Sequence, residues 1–202
     1  SSESEILHPH STREESLVLR YLQGRDTSVE EQARLSVLAQ WLDTPFYQQL
    51  RTEEQLGYIV NAGYSPMLEA PGISLIVQSP DVDSSTIAER MDAFMEAAEA
   101  RLNTLSNGEL AAHRQAVHDR LNQRDTSLPS MTNRYWQATA LDEVRFDRRE
   151  QLAALALDVS VEELQSLWPE LLSRQLDIRF NPGDSPSDIA TYREARTPFD
   201  AR

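Results

Sequence analysis

The feature that most constrains how this chain can fold is a change of apolar period near residue 56. Upstream, Leu35, Leu38 and Leu42 fall at helical spacing behind Ser28 and Glu31, an S-x-x-E capping signature. Downstream, Leu56, Tyr58, Val60 and Ala62 share one face at period two. Ile73, Leu75 and Val77 repeat that pattern after a loop holding Pro66, Pro71 and Gly72. A helix that feeds two neighbouring strands has to bury its apolar stripe against them, which calls for a layered fold.

The rest of the chain supplies more of both layers. Ser16 to Leu22 (SLVLRYL) reads as a strand, followed by a turn through Gly24 and Asp26. Thr44 before Pro45 is expected to end the first helix, leaving a short second turn with Phe46 and Leu50 on one side. From about Asp83, Ile87, Met91, Phe94, Met95, Ala98 and Leu102 form a stripe wide enough to pack on a sheet. A second capping box, Ser106 with Glu109, opens a helix carrying Leu110, His113, Val117 and Leu121. Helical stretches follow at Met131 to Leu141, Gln151 to Leu157 and Val161 to Leu172. The last stands behind Ser160 and Glu163, and Pro169 is expected to kink or shorten it. Leu176 to Phe180 (LDIRF) closes as a strand. The order predicts an α+β domain, a mostly antiparallel sheet with several helices packed on one face. Its limits are residues 15–180, after a disordered or linker leader at 1–14 and before an irregular tail at 181–202.

Composition removes several functions. With 202 residues, 40% of them hydrophobic, the chain can bury a proper core, and no apolar run approaches the roughly 18 residues of a membrane span. A net charge of −14 argues against nucleic acid, whose binders neutralise phosphates with basic side chains. The absence of cysteine excludes disulfides, thiolate nucleophiles and Cys-based zinc sites. All 19 basic residues are arginine, from coding bias or from selection for bidentate contacts. The opening SSESEILHPH lacks both a signal-peptide pattern and an initiator Met, which points to a fragment or processed product. No compartment follows, and bacterial periplasm and cytoplasm both stay open.

The search for a metal centre fails as well. His113 and His118 lie five apart on one predicted helix, about 140° around its axis, and cannot share an ion there. Neither H-E-x-x-H nor H-x-x-E-H occurs, and His8 and His10 merely flank Pro9 in the leader. G-x-S-x-G, Walker A and G-x-G-x-x-G are also missing. No metal is expected on this chain, and no zinc is expected to bind it in isolation.

Polar chemistry concentrates instead at the helix-to-strand junction, FYQQLRTEEQLGYIV, Phe46 to Val60. Arg51 could simply pair with Glu53 or Glu54 at the surface, Tyr58 could fill a strand face, and Gly57 could serve a bulge or a close approach. The string also resembles the F-x-x-L-R-T-x-E-Q-L-G-Y segment of the last domain of the pitrilysin and insulin-degrading enzyme family, the inverted zincins. The similarity extends over about Glu15 to Phe180, strongest in the first half.

The resemblance implies the non-catalytic C-terminal domain of a zinc endopeptidase. In that family four homologous α+β domains form two bowl-shaped halves around a closed chamber. The H-x-x-E-H zinc sits on the first domain, so the cofactor is expected on an N-terminal catalytic half that is this chain's partner, with peptides as substrates. Arg51 is then implied to hold the substrate backbone and Tyr58 to donate to the scissile carbonyl, with Gly57 allowing close approach of substrate or backbone. Both polar tips should be accessible and unpaired within the chain. Two alternatives remain: an inactive scaffold subunit of the same fold, and part of a peptidase that processes the peptide precursor of a redox cofactor. A domain joined to a neighbour should also expose an apolar patch, with Trp136 and Trp168 as candidates.

Overall fold

The computed structural model describes residues 5–7, 14–67, 70–123 and 148–182. The helix expected at 131–141, Trp136, His8, His10 and the tail beyond Pro182 lie outside these residues. Five strands form one sheet: β1 Glu5–Leu7, β2 Ser16–Gln23, β3 Ile59–Tyr64, β4 Gly72–Ser79 and β5 Gln175–Phe180. Their spatial order is β1-β5-β2-β4-β3. The four longer strands pair antiparallel, and β1 runs parallel to β5. Nothing in the leader's sequence signals β1, which is held by its neighbour rather than by an alternation of its own.

Register puts Val18 and Leu22 of β2, Ile73, Leu75 and Val77 of β4, and Val60 and Ala62 of β3 on one face, all buried. The helices that share this core are α1 Val29–Tyr47, α2 Ser84–Thr104, α3 Asn107–Asn122, α4 Arg148–Asp158 and α5 Val161–Ser173. The architecture is the expected α+β arrangement, and every residue of the predicted α2 stripe is buried. Ser106 and Ser160 complete reciprocal capping boxes with Glu109 and Glu163. Ser28 makes only half of one: its hydroxyl accepts from the Glu31 N–H, while the buried Glu31 carboxylate turns to Arg25 and Arg34. Asp26 accepts the Ser28 N–H in its place, at 2.8 Å.

The helix-covered face also buries an ion pair. Arg20 and Asp177 lie opposite each other on β2 and β5, with Nε–Oδ1 at 2.8 Å and Nη2–Oδ2 at 2.9 Å. Asp92 of α2 reaches Arg20 Nη1 at 2.6 Å, and Arg179 reaches Asp177 at 2.9 Å. Burial by itself would raise the Asp177 carboxyl, but the two guanidinium groups outweigh it and hold the carboxyl below its usual range.

Two expectations need correction. Helix α1 does not stop at Thr44; it runs through Pro45 to Tyr47 and passes into a π-helical turn, Gln48–Glu53. Proline costs a helix interior about 3 kcal/mol. Phe46 and Leu50 are both fully buried, Phe46 edge-on to Phe94 with ring centroids 5.0 Å apart. Burying two such side chains contributes about 3–6 kcal/mol, enough to carry the helix through. Pro169 also sits inside α5, which is not shortened by it and continues to Ser173, with Leu171 buried beyond the proline. Trp168 is 1% exposed, so it is core rather than a partner-facing patch.

Candidate functional site

The junction is built from two anchors. Leu50 in the π turn is fully buried and Leu56 nearly so, and the Leu56 N–H donates to the Leu50 carbonyl at 2.9 Å, closing the loop between them. Within the turn the Glu54 N–H reaches the Gln49 carbonyl at 2.9 Å, the five-residue spacing of a π helix. The same spacing pairs side chains, Gln48 with Glu53 and Gln49 with Glu54. Arg90 of α2 approaches Glu54 from the other direction, at 3.8 Å.

These pairings bear on the expected surface pair of Arg51 with Glu53 or Glu54. Glu53 and Glu54 are engaged elsewhere, and Arg51, half-buried, forms no hydrogen bond or ion pair among the described residues. Among the described residues the guanidinium stands on a packed turn with no carboxylate partner.

Tyr58 stands at the far end of the junction. The sequence pattern puts it on the buried face with Leu56, Val60 and Ala62, whereas its side chain is 48% exposed. Strand β3 begins at Ile59, and Gln55 takes a left-handed backbone with φ of 53°, reversing the chain before the strand starts. The phenol is accessible but not unpaired: it donates to Glu15 Oε2 at 2.6 Å. The Gln78 side-chain amide donates to the same carboxylate oxygen.

Gly57 is where the close approach occurs, and the approaching group is backbone. A Cβ there would lie 2.1 Å from the Gln78 carbonyl oxygen and 2.9 Å from its carbon. That carbonyl accepts the Tyr58 N–H at 3.1 Å, so the glycine lets the chain settle onto β4 and sets where Tyr58 emerges. Exposed apolar side chains flank the same region, Tyr47 at 49% and Ile59 at 41%.

Sequence reasoning missed Glu15 and Gln78. Glu15 is one of 33 acidic residues and sits in a polar stretch, and Gln78 is a single amide in a β-rich run; neither carries a local signal. Metal binding has no support in the described residues, where no group of three His, Asp or Glu side chains could hold an ion. His113 is half-buried on α3, and His118 is engaged by Asp119 at 3.1 Å and Asn122 at 2.9 Å.

Comparison with known proteins covers most of the chain. A family model described as PQQ synthase PqqF-like, C-terminal lobe domain 4, matches residues 37–136. Protease 3 of Escherichia coli is 35% identical over 119 residues, which are 59% of this chain and 12% of that protein. Coenzyme PQQ synthesis protein F of Pseudomonas syringae pv. tomato is 32% identical over 128 residues, 63% of this chain and 16% of the relative. The chain therefore spans a small fraction of the curated relatives it matches. A crystal structure of pitrilysin superposes with a TM-score of 0.77 at 26% identity, covering 91% of this chain and 20% of that one. A peptidase inactive domain from Pseudomonas fluorescens shares the fold, with a TM-score of 0.62 at 12% identity over 92% of this chain and 45% of that chain.

Proposed function

The chain belongs to the pitrilysin family of peptidases as a non-catalytic domain of the C-terminal lobe, and on that footing we propose that it closes a peptide-binding chamber against a zinc-bearing N-terminal half. In this reading Arg51 and Tyr58 reach a site on the other half. The observation that carries it is the junction itself: two buried leucines brace a turn that presents a guanidinium with no described partner, and a half-exposed phenol follows on the same linker.

The chemistry suits the task. Hydrolysis of a peptide bond puts negative charge on the carbonyl oxygen as its carbon becomes tetrahedral, and donors fixed in advance stabilise that charge most. A neutral phenol and an always-charged guanidinium both donate without acting as competing bases at neutral pH. Arg51 would also hold the substrate backbone, while Gly57, by seating the chain on β4, would let Tyr58 approach it. Zinc supplies Lewis-acid chemistry from the catalytic half.

The test is kinetic, in the assembled peptidase. Tyr58→Phe removes one hydroxyl and should lower kcat by about 10² to 10³ with KM little changed, the usual loss for one oxyanion donor. Arg51→Ala should raise KM and lower kcat together. An unchanged kcat in Tyr58→Phe refutes the transition-state role and leaves the domain as a scaffold.

A narrower reading is favoured by the match to a PqqF-like lobe and by the relative named for PQQ synthesis: the substrate is the peptide precursor of that redox cofactor. A kcat/KM for such a precursor less than about tenfold above that of unrelated peptides of equal length would exclude it.

A further inference from the structure

Glu15, immediately before β2, ends in a carboxylate whose Oε2 accepts from the Tyr58 hydroxyl and from the Gln78 amide. Gln78 faces Ile59 in the β3–β4 ladder, is 5% exposed, and takes the Tyr58 N–H on its backbone carbonyl at 3.1 Å. Tyr58 is thus gripped at both ends by the same pair. Gln78 fixes its main chain, Glu15 fixes its phenol, and the Gln78 side chain braces Glu15.

We infer that Glu15 is a positioning residue that parks the Tyr58 proton until negative charge appears on the substrate; this rests on the transition-state role proposed above for Tyr58. A phenol owns a single proton, so donating it to Glu15 excludes donating it to a peptide carbonyl. Hydrogen bonds to a charged acceptor are roughly twice as strong as neutral ones. A ground-state carbonyl, being neutral, does not draw the O–H away from the carboxylate. An oxyanion, shielded from water in the closed chamber, draws the O–H where a neutral carbonyl does not, and the Glu15 carboxylate it leaves keeps the Gln78 amide as donor. The O–H then turns from Glu15 Oε2 to the substrate oxygen, with no proton changing owner. The interaction is withheld from the bound substrate and delivered to the transition state, which is the differential on which rate enhancement rests.

Two measurements test this. In the assembled peptidase, Glu15→Ala should raise kcat/KM about three- to tenfold, mostly through a lower KM, because the carbonyl can then take the phenol proton on binding. Glu15→Gln keeps a neutral acceptor and should show a smaller change of the same sign. Both gains should vanish when Tyr58→Phe is also present. A kcat/KM that is unchanged or lower in Glu15→Gln, or a gain that persists alongside Tyr58→Phe, overturns the inference.

The second measurement needs no turnover. In the 202-residue chain at neutral pH, the ¹³Cζ resonance of Tyr58, assigned with Tyr58→Phe, should move upfield in Glu15→Gln while the other tyrosines stay in place. An unmoved resonance shows that the phenol is not held by Glu15 and overturns the inference whatever the kinetics. A moved resonance together with normal turnover in Tyr58→Phe means instead that the contact exists and the proposed catalytic role of Tyr58 is wrong.

Discussion

Gly57→Ala adds one methyl group at the place where the junction has least room. Its Cβ would sit 2.1 Å from the Gln78 carbonyl oxygen, and real Cβ atoms essentially never come within 3.0 Å of a non-bonded neighbour. The obstructing atom is backbone of β4, paired on both sides by β2 and β3, so no side-chain rotation relieves the overlap. Either the linker lifts off β4 or β4 bends. Lifting loses the 3.1 Å Tyr58 N–H bond to Gln78, about 1 kcal/mol, and overpacking of this kind costs about 1–3 kcal/mol more. The expected destabilisation is about 2–4 kcal/mol, read as a lower urea midpoint with an unchanged m value, monitored by circular dichroism. Gly63→Ala is the control: the nearest atom to its Cβ is the Asn61 side-chain oxygen at 3.6 Å, an ordinary contact, so its midpoint should move by less than about 0.5 kcal/mol. If Gly57→Ala is as mild as Gly63→Ala, the close packing of the junction against β4 is refuted.

Two further outcomes are expected. Asp177→Asn keeps the shape of the buried pair but removes its charge, leaving Arg20 with Asp92 alone, at a cost of about 2–3 kcal/mol at neutral pH. Because the folded carboxyl lies below its unfolded value near 3.9, the contribution is complete above that value and disappears as pH falls through the folded one, so the gap between urea titrations of wild type and variant should begin to narrow only below about pH 4; a gap that does not change with pH counts against the ion pair. Equilibrated with zinc and then dialysed, the chain should retain no stoichiometric metal by atomic absorption, and one zinc per chain would contradict the assignment of the metal to the other half.

What could be read from the sequence was what local chemistry encodes. The boxes at Ser106 and Ser160 and the α2 stripe from Ile87 to Leu102 are complete within a few residues, so they were legible without any partner. The path of α1 through Pro45 was not, because the decisive burial of Phe46 is made by Phe94, on another helix. The period-two pattern grouped Tyr58 with Val60 and Ala62, yet the strand starts only at Ile59, after a left-handed Gln55, a type that gives no turn signal. The resemblance pointed to Arg51 and Tyr58 as a candidate site, while the contacts around them escaped notice: Glu15 meets Tyr58 across 43 residues and Gln78 meets Glu15 across 63, beyond the reach of any periodicity.

The pairing of Arg20 with Asp177 also sets an order on the making of the domain. The two residues are 157 positions apart, and β5 occupies the slot between β1 and β2, so the earliest strands receive their shared neighbour last. At ribosomal rates of about 5–20 residues per second, β2 waits roughly 8–30 s with one edge open after Arg20 has been made. Of its two carboxylate partners, Arg20 can meet only Asp92 before the interval ends, and that one not until residue 92 has been made; Asp92 is 58% exposed in the finished fold. A guanidinium whose chief counter-charge has not yet been synthesised resists dehydration, so the sheet's central strand stays wet and unlocked until residues 175–180 arrive.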